Sequence, residues 1–274
     1  MFPLRLLDEI EGFGMNWDED CRRIGLDGKG VRKGKAVINI TNLDRGEVIS
    51  VLPAYNQDTL DQWCLTLTEK QRNQIEEICV DMSNVPIATL RKYFPKAHIV
   101  IDHFHIIQNA IKLMDQHRYL LQQTDMVKIP IKYELAKPIH KLKQGEYDKM
   151  KPYLDQHLTL KCFWKTVHQL RKVYWQKDHK KARSQLRYVI WLCEQNGIPE
   201  METLAKTLRK WSEEILSYYI SKTTNAYTEG IHTRFELIKR NHFGIRNMER
   251  YAKRILFCLT PALIFSDFVS NFVK

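Results

Sequence analysis

Two carboxylates end two neighbouring apolar runs in EEICVDMSNVPIATLRKYFPKAHIVIDHFH, residues 76–105. The first run ends at Asp81 and the second at Asp102, with a helical segment between them. A third run, RRIGLD, ends at Asp27. In an open α/β sheet, functional groups gather outside the carboxyl ends of the strands. If the first run pairs with the run that ends at Asp81, Asp27 and Asp81 meet although 81 − 27 = 54 residues separate them.

Such a carboxylate pair indicates a metal site. Two facing carboxylates repel each other unless a cation lies between them, and hard oxygen ligands with water favour Mg²⁺, for which Mn²⁺ can substitute. A third carboxylate is available from Glu229 near the start of a later helix, with His232 and Glu236 on neighbouring turns. Three carboxylates that hold two Mg²⁺ ions suit in-line displacement at a phosphate, since one ion activates the attacking oxygen and the other stabilises the leaving oxygen.

Each of these residues also has an ordinary structural interpretation. A single Asp at a strand end is more often a helix cap or a turn former, which applies to Asp102 and to Asp27. Glu229 in a first helical turn is favoured by the helix macrodipole without any metal. His103 and His105 beside Asp102 suggest a transition-metal site, but no further His lies at ligand spacing. The residues alone therefore indicate a metal-capable acidic cluster and no more.

The composition favours a polyanionic partner. The chain has 274 residues, 44% of them hydrophobic, which allows one large or two small domains. Its formal net charge is +11, and each phosphate that Lys or Arg neutralises releases condensed counterions. The six cysteines lack C-x-x-C spacing, so we expect a reduced, cytoplasmic protein without a zinc site. The apolar C-terminal stretch ILFCLTPALIFSDF is too short to span a bilayer, so no membrane partner is expected.

The pattern of elements predicts an α/β protein with a large helical segment. A short strand at 22–27 precedes a Gly- and Lys-rich turn, and strands at 36–43 and 47–55 form a hairpin with Gly46 in its turn. One helix over 58–74, capped by Asp58, leads into the strands that end at Asp81 and Asp102. Residues 106 to about 220 show only helical periodicity. N-caps at 223–225 open a helix that runs to about Arg240, and Gly244 separates it from a last helix.

From about residue 20 to the end, the sequence resembles the catalytic region of bacterial insertion-sequence DDE transposases of the ISL-three type. The resemblance depends on four stretches: RRIGLDGKGVRKGK, CVDMSNVPIATLRKYFPKAHIVIDHFHIIQ, TLRKWSEEIL and TTNAYTEGIHTRFELIKRNHFGIRNMERYAKRILF. The resemblance implies a ribonuclease-H-like mixed sheet with a large all-helical insertion. The implied domains are a first part of the catalytic core at 20–108, the insertion at 109–220, and C-terminal helices at 221–274 that complete the core.

The resemblance also implies the roles of individual residues. Asp27, Asp81 and Glu229 would form the catalytic, metal-binding triad, so Asp102 would do something else. The stretch from Asp102 to His105 resembles the Asp-x-x-His motif of related transposases, in which the His helps to position DNA. The basic residues around the Glu229 helix are expected to bind DNA phosphates; they are Lys239, Arg240, Arg246 and Arg250.

The implied function is Mg²⁺-dependent DNA cleavage and strand transfer, acting on terminal inverted repeats and target DNA in the bacterial nucleoid as a homodimer or higher oligomer. The sequence departs from the family pattern in two ways. Gly28 stands where an acidic residue is expected, and no N-terminal zinc-binding and helix-turn-helix segment precedes the first strand. One alternative is therefore a truncated, non-catalytic DNA-binding remnant that modulates an intact transposase. Another is a ribonuclease-H-like nuclease or resolvase of different purpose.

Overall fold

The computed structural model describes residues 17–32, 34–82, 84–240 and 247–259. These residues divide into two compact units. The first consists of the described parts of Met1–Asp102 and Thr223–Lys274, and the second is His103–Lys222. The first unit contains a sheet with helices, and the second is helical throughout.

The described residues of the first unit include five strands: β1 Arg23–Arg32, β2 Lys35–Asn42, β3 Glu47–Leu52, β4 Glu77–Val80 and β5 His98–Ile101. They form one sheet in the order β3-β2-β1-β4-β5. β1, β2 and β3 pair antiparallel, whereas β4 pairs parallel with both β1 and β5. The sheet is therefore mixed, as the sequence predicts, because a tight turn can join only antiparallel neighbours and the two parallel neighbours need crossovers.

The hairpin and the crossovers follow from local sequence. Gly46 adopts φ +68° in the β2–β3 turn, a conformation that favours glycine. Helices α1 Gln57–Thr66 and α2 Glu69–Gln74 connect β3 to β4, and α3 Asn84–Tyr93 connects β4 to β5. The prediction of a single helix over 58–74 was wrong. Thr68 caps α2 through a reciprocal capping box with Gln71, and Asn56 rather than Asp58 caps α1.

The prediction that β1 ends at Asp27 was also wrong. β1 continues to Arg32, through the Gly- and Lys-rich stretch that was expected to form a turn. Its antiparallel partner β2 supplies pairs beyond Asp27, including Gly28 with Ile38 and Lys29 with Val37. Asp27 therefore lies in the middle of β1, opposite Asn39 of β2. The neighbouring parallel strand, β4, ends at Val80, close to the level of Asp27.

Two later helices cover one face of the sheet. They are α11 Ala226–Arg240 and α12 Met248–Leu259. Thr228, Ile231 and Phe235 are the buried residues of α11, and their spacing of three and four places them on one side of the helix. Ile231 and Phe235 pack in a buried cluster with valines of the first three strands and with α12. The apolar face of α11 thus fixes which of its side chains point toward β1. The expected break at Gly244 lies outside the described residues.

The second unit consists of seven α-helices and one 3-10 turn among its described residues. They are α4 His103–Thr124, α5 Lys132–Ala136, the 3-10 turn Ile139–Lys141, α6 Gln144–Gln156, α7 Leu158–Val173, α8 His179–Glu194, α9 Pro199–Lys210 and α10 Ser212–Ser221. The buried His117 of α4 lies 3.2 Å from a carboxylate oxygen of Glu200 on α9 and 3.0 Å from the hydroxyl of Thr159 on α7. Polar contacts of this kind join helices that are distant in sequence. Within the described part of the chain, no helix has the length and apolar character needed to cross a bilayer.

Candidate metal centre

Asp27 and Glu229 lie together in the first unit. Asp27 is on β1 and is 8% exposed, and Glu229 is in the first turn of α11. A carboxylate oxygen of Asp27 lies within 4.8 Å of a carboxylate oxygen of Glu229. Asp27 Oδ1 accepts a hydrogen bond from the backbone N–H of Gly28 at 2.7 Å, and Asp27 Oδ2 lies 3.6 Å from His232 Nδ1. The sheet and α11 therefore bring together two carboxylates that are 229 − 27 = 202 residues apart in sequence.

A close approach between β1 and α11 makes this arrangement possible. Gly25 lies on β1 two residues before Asp27, and a Cβ atom placed there would be 2.3 Å from Asn225 Oδ1 and 2.4 Å from Thr228 Oγ1. Thr228 exchanges a 2.6 Å hydroxyl hydrogen bond with Thr41 of β2, and Thr41 also bonds the Gly25 carbonyl. The amide of Asn225 donates to the Leu26 carbonyl at 3.2 Å. A glycine, two threonines and an asparagine thus hold the start of α11 against the strand that carries Asp27.

The segment leading into α11 is tied to the parallel strands. The hydroxyl of Thr223 bonds the buried carboxylate of Glu77 on β4. The carboxylate of Asp102, which is 2% exposed, accepts a hydrogen bond from the backbone N–H of Asn225 at 2.6 Å. Asp102 follows β5 directly, as the sequence predicts. Its carboxylate contacts the start of α11.

Asp81 directly follows β4 and is half-buried. The parallel register pairs Arg23 with Glu77 and Gly25 with Cys79, an offset of 54 residues in each case. Continuing the offset by two residues from the last pair leads from Asp27 to Asp81. Asp81 does not, however, join Asp27 and Glu229 in a group whose ligand atoms all lie within 4.8 Å. A two-ion site does not require this. If the ions are about 3.5–4 Å apart and each ligand oxygen lies about 2.0–2.1 Å from its ion, oxygens bound to different ions can be more than 4.8 Å apart.

Two observations indicate that these residues fit a divalent cation. The first is a buried amide: Asn39 is fully buried opposite Asp27, and neither its Nδ2 nor its Oδ1 has a hydrogen-bond partner among the residues that the structure describes. Burying an amide without partners costs about 1–3 kcal/mol, which a hydrated ion beside Asp27 would relieve. Asp27 and Glu229 offer carboxylate oxygens, which suit Mg²⁺ or Mn²⁺ better than a soft metal.

The second observation is the electrostatic environment of Cys79. Cys79 is buried on β4, where it pairs with Gly25 of β1. Burial raises the pKa of its thiol well above the ordinary value, and four carboxylates raise it further; they are Asp102, Glu77, Asp27 and Glu229. The negative charge of these four carboxylates is thus concentrated around Cys79, which favours a bound cation.

Gly28, the residue that departs from the family pattern, has a packing explanation. A Cβ atom at this position would lie 2.4 Å and 2.7 Å from two ring carbons of Tyr55. Any side chain here therefore collides with the ring. Tyr55 also lines a cleft of about 1060 Å³ together with Arg32, Lys35 and residues at the starts of α1 and α12. Glycine next to Asp27 thus allows Tyr55 to form one wall of this cleft.

The residues expected to bind DNA are distributed over both units. Lys239 and Arg240 lie in the last turn of α11, where Lys239 Nζ is 3.7 Å from Glu236 Oε2 and Arg240 is exposed. Arg250 is exposed in the first turn of α12. His105 is half-buried in the first turn of α4, at the start of the helical unit. Arg246 lies outside the described residues.

Sequence reasoning missed the residues that hold α11 in place. Gly25, Thr41 and Thr228 carry no chemistry of their own, and Asn225 was considered only as a helix cap. The one available signal was the dense run of small polar residues in TTNAYTEG, which exceeds what a single N-cap requires.

The comparisons with known proteins agree on one class, the transposases. The sequence profile of the ISL3 (ISL-three) type, described as Transposase, matches residues 24–255. A relative from Bordetella parapertussis, the transposase for insertion sequence element IS1001, is 21% identical over 217 residues, which is 76% of this chain and 53% of the relative. The chain therefore spans about half the length of this curated relative. Because the profile covers most of the sequence, the chain belongs to the ISL3-type transposase family.

Proposed function

We propose that this chain catalyses the Mg²⁺-dependent cleavage of DNA at the ends of an insertion sequence and the joining of the freed 3′-hydroxyl to target DNA. The observation that carries the proposal is the pair of carboxylates of Asp27 and Glu229 within 4.8 Å, inside the region that matches the transposase profile. The register that leads from Asp27 to Asp81 supports a third ligand on the neighbouring strand.

The sheet supports a ribonuclease-H-like assignment for the catalytic core. Three antiparallel strands followed by two parallel strands, in the order β3-β2-β1-β4-β5, agree with the core that the family resemblance implies. The central strand β1 carries Asp27, β4 leads to Asp81, and a late helix carries Glu229. On this proposal the helical unit is an insertion within the 229 − 81 = 148 residues that separate the last two carboxylates.

The chain's residues would contribute to the reaction in distinct ways. Asp27, Asp81 and Glu229 would hold two Mg²⁺ ions, which when bound activate the attacking oxygen and stabilise the leaving oxygen. Burial of Asp27 and its hydrogen bond from Gly28 fix the direction of its carboxylate before any ligand arrives. His232 Nδ1 lies 3.6 Å from Asp27 Oδ2 and limits the movement of this second carboxylate oxygen. The protein thus supplies preorganised oxygen ligands and not a nucleophile of its own.

DNA is the proposed substrate and partner. Arg240 and Arg250 are exposed cations near the ends of α11 and α12, which suits contacts to phosphates. Lys239, Arg246 and His105 remain proposed DNA contacts, with His105 positioning the strand. Phosphate contacts do not read sequence, so we expect binding that is salt-sensitive and sequence-independent, with dissociation constants of about 10⁻⁴–10⁻⁶ M. Assembly as a dimer or higher oligomer on DNA is part of the same proposal.

A plasmid-nicking assay tests the enzymatic function. We expect the wild-type chain to convert supercoiled plasmid to relaxed circles with Mg²⁺ or Mn²⁺ and not with EDTA. Glu229→Gln should abolish nicking and keep plasmid affinity, because the amide retains the shape but not the charge of the carboxylate. Glu249→Gln is the matched control, since Glu249 is an exposed glutamate in the first turn of the other late helix.

Two results contradict the proposal. Equal nicking by wild type and Glu229→Gln would show that Glu229 is not a metal ligand. DNA binding without any nicking by the wild type would favour the alternative of a non-catalytic remnant that modulates an intact transposase.

A further inference from the structure

Asp102 is linked to Glu229 by two consecutive hydrogen bonds. Asp102 Oδ2 accepts from the backbone N–H of Asn225 at 2.6 Å. The carbonyl of the same Asn225 then accepts from the backbone N–H of Glu229 at 3.0 Å, the first hydrogen bond of helix α11. Asn225 therefore connects the buried Asp102 carboxylate at the end of β5 to the backbone of Glu229 on α11.

The chemistry of this contact favours a carboxylate. The first N–H groups of a helix have no partners within the helix, and the helix N-terminus attracts negative charge. A hydrogen bond to a carboxylate is shorter and roughly twice as strong as a neutral one, and this one is 2.6 Å long. Asp102 is 2% exposed, so water has little access to this contact.

Asp102 is placed to act on the helix, because its Oδ2 accepts the hydrogen bond from the N–H at the start of α11. Asn225 and Glu229 are four residues apart, about 6 Å along the helix axis at 1.5 Å per residue. Over this short rigid distance, a shift of the helix start moves Glu229 by a comparable amount.

We propose that Asp102 is a positioning residue for the metal centre: it holds the first turn of α11 at the end of β5 and thereby sets the location of the Glu229 carboxylate. This inference rests on the proposed function in so far as Glu229 binds metal. The hydrogen-bond chain that it invokes exists without metal or DNA.

The test compares two substitutions in the whole chain. Asp102→Ala removes the acceptor, whereas Asp102→Asn keeps an oxygen that can accept from Asn225. Asp61→Ala is the control, because Asp61 accepts a 2.8 Å hydrogen bond from Thr89 that joins α1 to α3 and does not involve α11. The first measurement is amide hydrogen exchange over residues 225–229 without metal, and the second is Mn²⁺ affinity by electron paramagnetic resonance.

We expect Asp102→Ala to raise exchange at 225–229 at least tenfold and to weaken Mn²⁺ binding about tenfold. Asp102→Asn should lie between wild type and Asp102→Ala in both measurements, because the amide oxygen still accepts but forms a weaker hydrogen bond than the carboxylate. Asp61→Ala should change neither. Equal loss of Mn²⁺ affinity in the Ala and Asn variants would overturn the proposal, since an oxygen that accepts from Asn225 would then make no difference. Unchanged exchange in Asp102→Ala would overturn it as well. The exchange measurement does not depend on DNA cleavage. If the wild-type chain does not nick DNA, that result therefore contradicts the proposed function and leaves the positioning role of Asp102 to the exchange measurement.

Discussion

Gly25→Ala should displace helix α11 and destabilise the sheet unit. The added Cβ atom would lie 2.3 Å from Asn225 Oδ1, 2.4 Å from Thr228 Oγ1 and 2.9 Å from Thr41 Oγ1. Ordinary contacts of carbon lie near 3.5 Å, so the nearest two oxygens must move by about 1 Å. Asn225 directly precedes α11, Thr228 lies in its first turn and Thr41 lies on β2, so no single side-chain rotation relieves all three contacts.

The expected cost can be worked out from these contacts. Overpacking of a well-packed site costs about 1–3 kcal/mol. Separation of Thr41 from Thr228 adds about 0.5–1.5 kcal/mol for a lost buried hydrogen bond. The free energy of unfolding should therefore fall by about 1.5–4.5 kcal/mol. With a urea m-value of about 2 kcal/mol/M, the midpoint should fall by about 1–2 M.

The assay is urea unfolding followed by circular dichroism, with Gly30→Ala as the control. Gly30 lies on the same strand, is exposed, and a Cβ atom there would meet no atom of the described residues within 4 Å. Gly30→Ala should leave the midpoint unchanged or raise it slightly, since alanine reduces the conformational entropy of the unfolded chain. Equal midpoints for the two variants would refute the close approach of β1 and α11.

Three further predictions concern other contacts. Thr228→Val should lower the free energy of unfolding by about 0.5–1.5 kcal/mol in urea titrations, because it removes the hydrogen bond to Thr41. Thr233→Val, at an exposed position of the same helix, should change this free energy by less than about 0.5 kcal/mol. Equal effects of the two substitutions would contradict the hydrogen bond between Thr228 and Thr41. Asn39→Leu should leave the metal-free protein as stable or raise its melting temperature, because it removes a buried amide that has no hydrogen-bond partner among the described residues, and it should weaken Mn²⁺ binding. A large loss of metal-free stability would contradict this explanation. Burial of His168, aided by Arg171 and Lys172, lowers its pKa to about 4, so between about pH 4 and 6.5 the unfolded chain binds more protons and the free energy of unfolding should rise with pH by at most about 1.4 kcal/mol per unit. Stability measured over this pH range should show a smaller slope in His168→Leu, and an unchanged slope would assign the effect to other groups.

The sequence predicted the elements that depend on local patterns. The runs that form β4 and β5, the helix between them and the turn at Gly46 follow from short apolar stretches and turn residues. The extent of β1 was wrong because its second half is a strand only through pairing with β2, which a Gly- and Lys-rich sequence does not reveal. The two helices α1 and α2 were merged because residues 58–74 contain no Gly or Pro that would indicate a break, and only the capping box at Thr68 separates them.

The candidate site was predicted as far as residue chemistry allows. Acidic side chains at the ends of apolar runs made Asp27, Asp81 and Asp102 candidates, and Glu229 was a further candidate near the start of a helix. Only the family resemblance separated a triad of Asp27, Asp81 and Glu229 from Asp102. The contacts that bring Glu229 to β1 join residues far apart in sequence, such as Thr41 and Thr228, which are 187 positions apart. Small residues such as Gly25 act by leaving space, and a single sequence does not show which neighbour fills that space.

The most direct test of the central claim is a crystal structure of the chain soaked in Mn²⁺, with anomalous scattering to locate the ions. The account predicts two anomalous peaks about 3.5–4 Å apart, with oxygen ligands from Asp27, Asp81 and Glu229 at about 2.1 Å. Peaks that form at Asp102 in place of Asp81, or that leave Glu229 without a metal contact, would contradict it.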